Sequence, residues 1–386
     1  MSAAPHPVID PVELTRDLIR RPSVTPADEG TMDIVERLLT GLGFHCRRMP
    51  FEGVENLYAR RGAASPNLCF AGHTDVVPTG AAEAWTAGPF EAEVRDGVLY
   101  GRGAVDMKSG IAAWIAAVSR VLAGGDPPGS LSFLITGDEE GPALHGTKRV
   151  VETLMAEGEV IDACVVGEPS SQHALGDTIK IGRRGSLNSW ITVHGKQGHV
   201  AYPDRAANPA PVIARLLARL ADHRLDDGYQ GFQPSNLEIT TIDIGNPAAN
   251  VIPAEARARL NIRFNPTHTG DGLIAWLNAV AGEAQAESGL RVTLEHLCSG
   301  DAFLTEPGPF VTAVQDAVEA AAGRRPEAST TGGTSDARFI RAMAPVLELG
   351  LVGQTMHQVD ERVPVSEIEA LAEIYRRVIV TIFDRA

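Results

Sequence analysis

The sequence predicts an α/β protein, with a doubly wound, mainly parallel-sheet domain interrupted by an inserted α+β domain. Three observations carry this. The chain has 386 residues, the size of two ordinary domains rather than one. Short apolar runs alternate with amphipathic helical segments through both outer parts of the chain. In the middle that rhythm gives way to a two-residue alternation.

Taken in order, Pro11 to Arg20 and Gly30 to Leu42 carry apolar residues at helical spacing, among them Leu14, Leu18, Ile34, Val35, Leu38 and Leu39. Asn67–Ala71, Ser130–Thr136, Ala163–Val166 and Val346–Leu349 are short and apolar. Parallel strands read this way because helices cover both faces of their sheet. Ile111–Leu122 and Thr147–Met155 read as helices between them. From Lys180 to Gly195 the chain alternates like exposed antiparallel strands around a turn at Arg184-Gly185-Ser186. A helix at Pro209–Ala221, strands at Leu237–Ile244 and Ala256–Phe264, and a helix at Gly272–Glu287 complete a β-β-α-β-β-α order. The doubly wound pattern resumes near residue 295. The expected division is 1–180 with 295–386 for the outer domain and 181–294 for the insert.

Hydrophobic residues make up 44% and charged residues 22%, the balance of a globular protein with a full core. No run reaches the ~18–20 apolar residues that cross a bilayer. Met1 to Pro11 has neither a basic start nor an apolar stretch, so no secretory signal is expected and the location is expected to be cytoplasmic. Cys46, Cys69, Cys164 and Cys298 are scattered and read as small buried hydrophobes. A net charge of −15 argues against a nucleic-acid partner.

The chemistry sits where the apolar runs end. Asn67–Ala71 leads into Gly72-His73-Thr74-Asp75, Ser130–Thr136 into Gly137-Asp138-Glu139-Glu140-Gly141, and Ala163–Val166 into Gly167-Glu168-Pro169. Val346–Leu349 leads through a loop to His357, and Asp106 lies in a Gly-rich turn before the helix Ile111–Leu122. Open α/β sheets bind ligands outside the carboxyl ends of their strands, so these groups can converge. Taken singly, each has a plainer reading: Asp-Glu-Glu as a solvated turn, a lone histidine as structural, Glu168 as a turn residue. Together they suit a paired-metal site. Two divalent ions ~3.5–4 Å apart need a bridging carboxylate, and five residues supply three ligands to each. The candidates are His73, Asp106, Glu140, Glu168 and His357. Asp75 is placed to orient the His73 imidazole. Glu139 remains free as a general base that takes a proton from water and passes it to the leaving amine.

These segments resemble the di-zinc amidohydrolase and aminopeptidase family that includes aminoacylase, acetylornithine deacetylase and carboxypeptidase G. The likeness runs through GHTDVVP (72–78), GRGAVDMKSG (101–110), TGDEEG (136–141), VGEPS (166–170) and TMHQVDE (355–361) and extends over essentially the whole chain. It implies that His73, Asp106 and Glu168 hold one zinc and that Glu140, His357 and a bridging Asp106 hold the other, with cobalt or manganese possible at one site. It implies Glu139 as the base and Asp75 as the supporting acid next to His73.

GRRGS (182–186), GKQGHVAYP (195–203), NVIPAE (250–255) and TGGTSDARFI (331–340) are most like the branch that removes succinate from diaminopimelate. The expected reaction is then hydrolysis of N-succinyl-LL-2,6-diaminopimelate, with acetylornithine deacetylation or another acyl-amino-acid hydrolysis as the alternative. Ala337 stands where this branch would carry Gly, and Thr331 where many relatives carry Gly. The likeness further implies Arg183, Arg184 and Arg263 as carboxylate-binding forks, with Ser186, Tyr202, Asn250, Gly333 and Thr334 as polar contacts. For the arginines the plainer alternative is surface ion pairing. It also implies a homodimer in which the insert serves as dimerisation and lid domain and His199 reaches the partner's active site to steady the oxyanion. His6, His45, His145, His173, His194, His223, His268 and His296 are assigned no role. A rival of another class is a catalytically silent binding protein on the same scaffold, but such proteins lose ligands, and all five are present here.

Overall fold

The computed structural model describes residues 7–385, so His6 and most of the Met1 to Pro11 stretch read above lie outside the described residues. The chain forms two compact units. The larger holds the chain up to Ile181, Thr305–Ser329 and everything from Ser335 onward; the smaller holds Gly182–Leu304 and Thr330–Thr334.

In the larger unit, helices α1 (Pro11–Ile19), α2 (Thr31–Gly41), α3 (Lys108–Leu122), α4 (Thr147–Ala156), α7 (Pro309–Ala322) and α8 (Val365–Arg385) accompany an eight-stranded sheet. Its strands are β1 (His45–Arg48), β2 (Asn56–Arg61), β3 (Asn67–His73), β4 (Ser130–Thr136), β5 (Ala163–Val166), β6 (Thr178–Lys180), β11 (Glu327–Ser329) and β12 (Val346–Glu348), in the order β1-β2-β4-β3-β5-β12-β6-β11. The central run β4-β3-β5-β12 is parallel throughout, whereas β1, β2 and the β12–β6 contact are antiparallel. Every residue of β3, β4 and β5 is buried, as strands covered on both faces must be.

Local chemistry starts and anchors these elements. The Asp10 carboxylate accepts the N–H groups of Val12 and Glu13, and Pro11 opens α1 where no amide hydrogen is needed. Helix α3 is buried almost all round, which its apolar and small residues permit. On it Trp114 stacks on Phe70 at 4.8 Å and meets Tyr375 of α8 edge-on at 4.8 Å. The Tyr375 hydroxyl donates to the Leu349 carbonyl at 2.5 Å, tying this aromatic core to the end of β12.

The smaller unit has a four-stranded antiparallel sheet of β7 (Gly185–His194), β8 (Asn236–Asp243), β9 (Glu255–Phe264) and β10 (Arg291–Gly300), ordered β8-β9-β7-β10. Helices α5 (Ala210–Ala221) and α6 (Gly270–Ser288) bury Ile213, Leu216, Leu220, Leu273 and Leu277 against Leu187, Ile191, Leu260 and Ile262. The main elements therefore run β-α-β-β-α-β rather than β-β-α-β-β-α. Two local readings fail. Arg291–Gly300 pairs with β7, so the smaller unit runs on to Leu304, past the boundary expected near residue 295. The expected turn at 184–186 is instead the beginning of β7, paired Gly185 to Phe264. Gly185 is required there by packing, since a Cβ would lie 2.2 Å from the Phe264 ring.

Candidate active site

Parallel register brings the functional side chains together. His73 pairs with Thr136, Ala71 with Val166, and Val166 with Glu348, so β3, β4, β5 and β12 end at one level of the sheet. His73 ends β3, Glu139 and Glu140 follow β4, Glu168 follows β5, and the loop after β12 carries His357. Asp106 comes from the turn before α3, whose Gly103 has φ +86 and packs against Val76 and Lys108.

The donors cluster as two triads that share one residue. His73, Asp106 and Glu168 form one, and Asp106, Glu140 and His357 the other, each with its ligand atoms within 4.8 Å of one another. Asp106 presents Oδ1 to His73 Nε2 and Oδ2 to His357 Nε2, each at 3.2 Å. His357 Nε2 is also 2.9 Å from Glu140 Oε1. His73 Nε2 is 3.5 Å from Glu168 Oε1, an atom that is buried and without a hydrogen-bond partner. An orphaned carboxylate oxygen in this setting calls for a cation, and the imidazole and carboxylate donors suit zinc and related divalent ions.

The electrostatics agree. Burial, with the Asp106 charge beside it, pushes the Glu168 carboxyl up to about 8. Burial also works against ionised Asp106, yet hydrogen bonds to His357 and His73 hold its carboxyl well below the usual range. Bonds to Asp106 and Glu140 raise the His357 imidazole to about 10. Burial opposes a charge on His73, but Asp106 and Glu168 override it and raise its pKa well above the ordinary value. The cluster selects positive charge. His357 itself has φ 62, a left-handed conformation uncommon outside glycine and asparagine.

The expected role of Asp75 changes in detail. His73 Nδ1 meets the Asp75 backbone carbonyl at 2.9 Å, while the nearest Asp75 carboxylate oxygen is 3.6 Å away. That carboxylate accepts the backbone N–H groups of Glu139 and Glu140 instead. Glu139 is half-buried, and desolvation followed by the Glu168 charge holds its carboxyl well above the usual range. The Arg338 guanidinium, 93% buried by its side-chain exposure of 7%, lies 3.8 Å from Glu139 Oε1, and its Nε and Nη1 have no hydrogen-bond partner.

Three residues here escaped sequence reasoning: Arg338, and the buried pair Arg102–Glu361 at 2.6 Å. The only signal was their presence within TGGTSDARFI, GRGAVDMKSG and TMHQVDE.

The other candidates belong to the smaller unit. Arg184 donates to Asn236 at 2.8 Å, Arg263 to Asn261 at 3.1 Å, and Asn261 to Ser186 at 3.2 Å. Burial and the Arg184 charge lower the Arg263 pKa, as two neighbouring cations require. Arg183 donates to the Thr331 carbonyl at 3.1 Å. Gly333 and Asn250 are exposed, Thr334 half-buried, and the Asn250 carbonyl accepts the Val200 N–H. His199 is exposed, with Tyr202 beside it at 5.6 Å between ring centroids.

Comparison with known proteins shows what the chain is similar to. The family model for peptidase family M20/M25/M40 matches residues 69–381. A succinyl-diaminopimelate desuccinylase of Caulobacter vibrioides is 66% identical over 381 residues, 97% of each chain. Among solved structures, the M20 family metallo-carboxypeptidase Sso-CP2 of Sulfolobus solfataricus superposes with a TM-score of 0.80 at 15% identity, covering 98% of this chain and 100% of its own. The YXEP protein of Bacillus subtilis, a dinuclear metal binding peptidase, gives 0.74 at 16% identity, covering 97% and 98%. With that coverage and identity, the chain belongs to peptidase family M20/M25/M40.

Proposed function

We propose that the chain hydrolyses N-succinyl-LL-2,6-diaminopimelate to succinate and LL-2,6-diaminopimelate, a step toward lysine and cell-wall precursors. The observation that carries the reading is Asp106, set between two histidines with one carboxylate oxygen for each. The 66% identity to the Caulobacter desuccinylase supports the choice of substrate.

His73, Asp106 and Glu168 would hold one divalent ion and Asp106, Glu140 and His357 a second. Zinc suits both, and cobalt or manganese suits one of them. When bound, the ions supply Lewis acidity that polarises the amide carbonyl and acidifies a water. Glu139 takes the proton from that water and returns it to the departing amine. Asp75 holds the turn that aims Glu139, through the backbone bonds to residues 139 and 140.

Arg183, Arg184 and Arg263 bind the carboxylates of the substrate, with Ser186, Tyr202, Asn250, Gly333 and Thr334 as polar contacts. His199 accepts the Ala201 N–H on Nδ1, which leaves Nε2 as its donor. In a homodimer that donor would serve the partner's oxyanion. The scattered cysteines are all free, which favours a reducing, cytoplasmic setting. Among the described residues no helix is long and apolar enough to cross a membrane.

The test is a substrate panel on zinc-loaded protein. The reading requires faster cleavage of succinyl-diaminopimelate than of N-acetylornithine, and the reverse preference would overturn the substrate assignment.

A further inference from the structure

Arg102 and Glu361 are 259 residues apart and form a fully enclosed ion pair, with side-chain exposures of 2% and 0%. Neither side chain is among the candidate metal ligands. Each instead grips the backbone of one. Glu361 Oε2 takes the Arg102 guanidinium, while Oε1 accepts the N–H of Val105 at 2.8 Å and of Asp106 at 3.1 Å. Arg102 Nη2 donates to the His357 carbonyl at 3.4 Å and to the Pro78 carbonyl at 3.3 Å, and Nη1 donates to the Gln358 carbonyl at 3.3 Å. The flanking chain is stitched too. Gly101 N–H donates to the Glu361 carbonyl at 2.9 Å, and Val98–Tyr100 pairs with Arg362–Pro364.

Asp106 and His357 are both in the second triad, and only Asp106 is in the first. The same ion pair therefore fixes the relative position of two ligands that come from opposite ends of the chain. Groups behind the ligands commonly set metal affinity by 10–100-fold. We infer that Arg102–Glu361 is a positioning pair that sets the affinity of the Asp106–Glu140–His357 half of the centre. The inference rests on the two-metal reading above.

A buried ion pair that merely braces the fold is the rival explanation, and it makes a different prediction. Removing one partner strands a buried charge and destabilises, whereas replacing both by neutral groups is close to neutral for stability.

The experiment is calorimetric titration of zinc alone into chelator-stripped, full-length protein. Wild type is expected to take up two ions, and His357→Ala identifies which binding phase belongs to the second triad. Glu361→Gln and Arg102→Met are expected to weaken that phase by about 10–100-fold and the other, which shares only Asp106, by clearly less. Thermal unfolding of the metal-free double variant Arg102→Met/Glu361→Gln should lie above both single variants, yet its affinity for the second ion should stay low. Unchanged phases, equal weakening of both, or recovery of affinity together with stability would each overturn the inference while leaving the two-metal reading intact. Uptake of fewer than two ions by wild type would overturn both.

Discussion

The Asp75 carboxylate grips the backbone of Glu139: its Oδ1 accepts the Glu139 N–H at 3.2 Å while its Oδ2 accepts the next N–H, of Glu140, at 3.1 Å. One buried acid thus holds both the proposed base and a proposed ligand at the end of β4. Asp75→Asn puts an amide N–H against one of those donors. Turnover should fall about 10–100-fold with zinc content reduced less than in Glu140→Ala. Steady-state kinetics with metal analysis checks this, and unaltered turnover would remove Asp75 from the account.

Two carboxylates of the Asp-Glu-Glu run lie outside both triads: Asp138 is engaged by the N–H groups of Ala143, Leu144 and His145, whereas Glu139 lies beside the Glu168 charge. Glu139→Gln keeps its volume and removes its basicity. Two ions should still bind, and kcat should drop by about 10²–10⁴. Near-normal kcat would assign the proton transfer elsewhere.

Arg338 offers Glu139 a buried positive charge at 3.8 Å. At that range, with an effective dielectric near 20, the attraction is on the order of 4 kcal/mol before desolvation is counted. Arg338→Met should therefore lower kcat by at least about tenfold with little change in KM. Arg338→Lys should restore part of the loss. A change confined to KM would show that Arg338 acts on substrate rather than on the base.

The smaller unit contains its own pH sensor of stability. Burial alone would raise the Asp226 carboxyl, but the Ser235 hydroxyl and the N–H donors of Gly228, Ser235 and Asn265 hold it at about 2. The depressed pKa makes its contribution complete above about pH 4, and the contribution is lost as pH falls through about 2. The shift is worth roughly 2 kcal/mol. Urea unfolding should show Asp226→Asn less stable than wild type at pH 7, with the gap narrowing at pH 3. A gap independent of pH would contradict the assignment.

Much of the site was legible because strand ends are. A short apolar run followed by His, Asp or Glu identifies both the element and where its ligand points, so His73, Glu140 and Glu168 could be placed together before their geometry was known. Pairings across the chain leave no such trace. Nothing periodic ties Arg102 to Glu361 or Arg338 to Glu139, because each contact joins segments about two hundred or more residues apart. The same limit put the boundary near residue 295, inside the strand Arg291–Gly300. Its alternation, with Val292 and Leu294 set between Thr293 and Glu295, fits a strand, but its neighbour β7 lies about a hundred residues earlier. Gly185 misled for another reason: a glycine needed for close packing looks like one needed for a turn.

The central claim is that Asp106 is shared by two metal ions. Anomalous diffraction from crystals of the zinc-loaded protein tests it most directly. The account predicts two zinc peaks ~3.5–4 Å apart on either side of the Asp106 carboxylate, one beside His73 and one beside His357. A single peak, or two peaks that do not share Asp106, would contradict it.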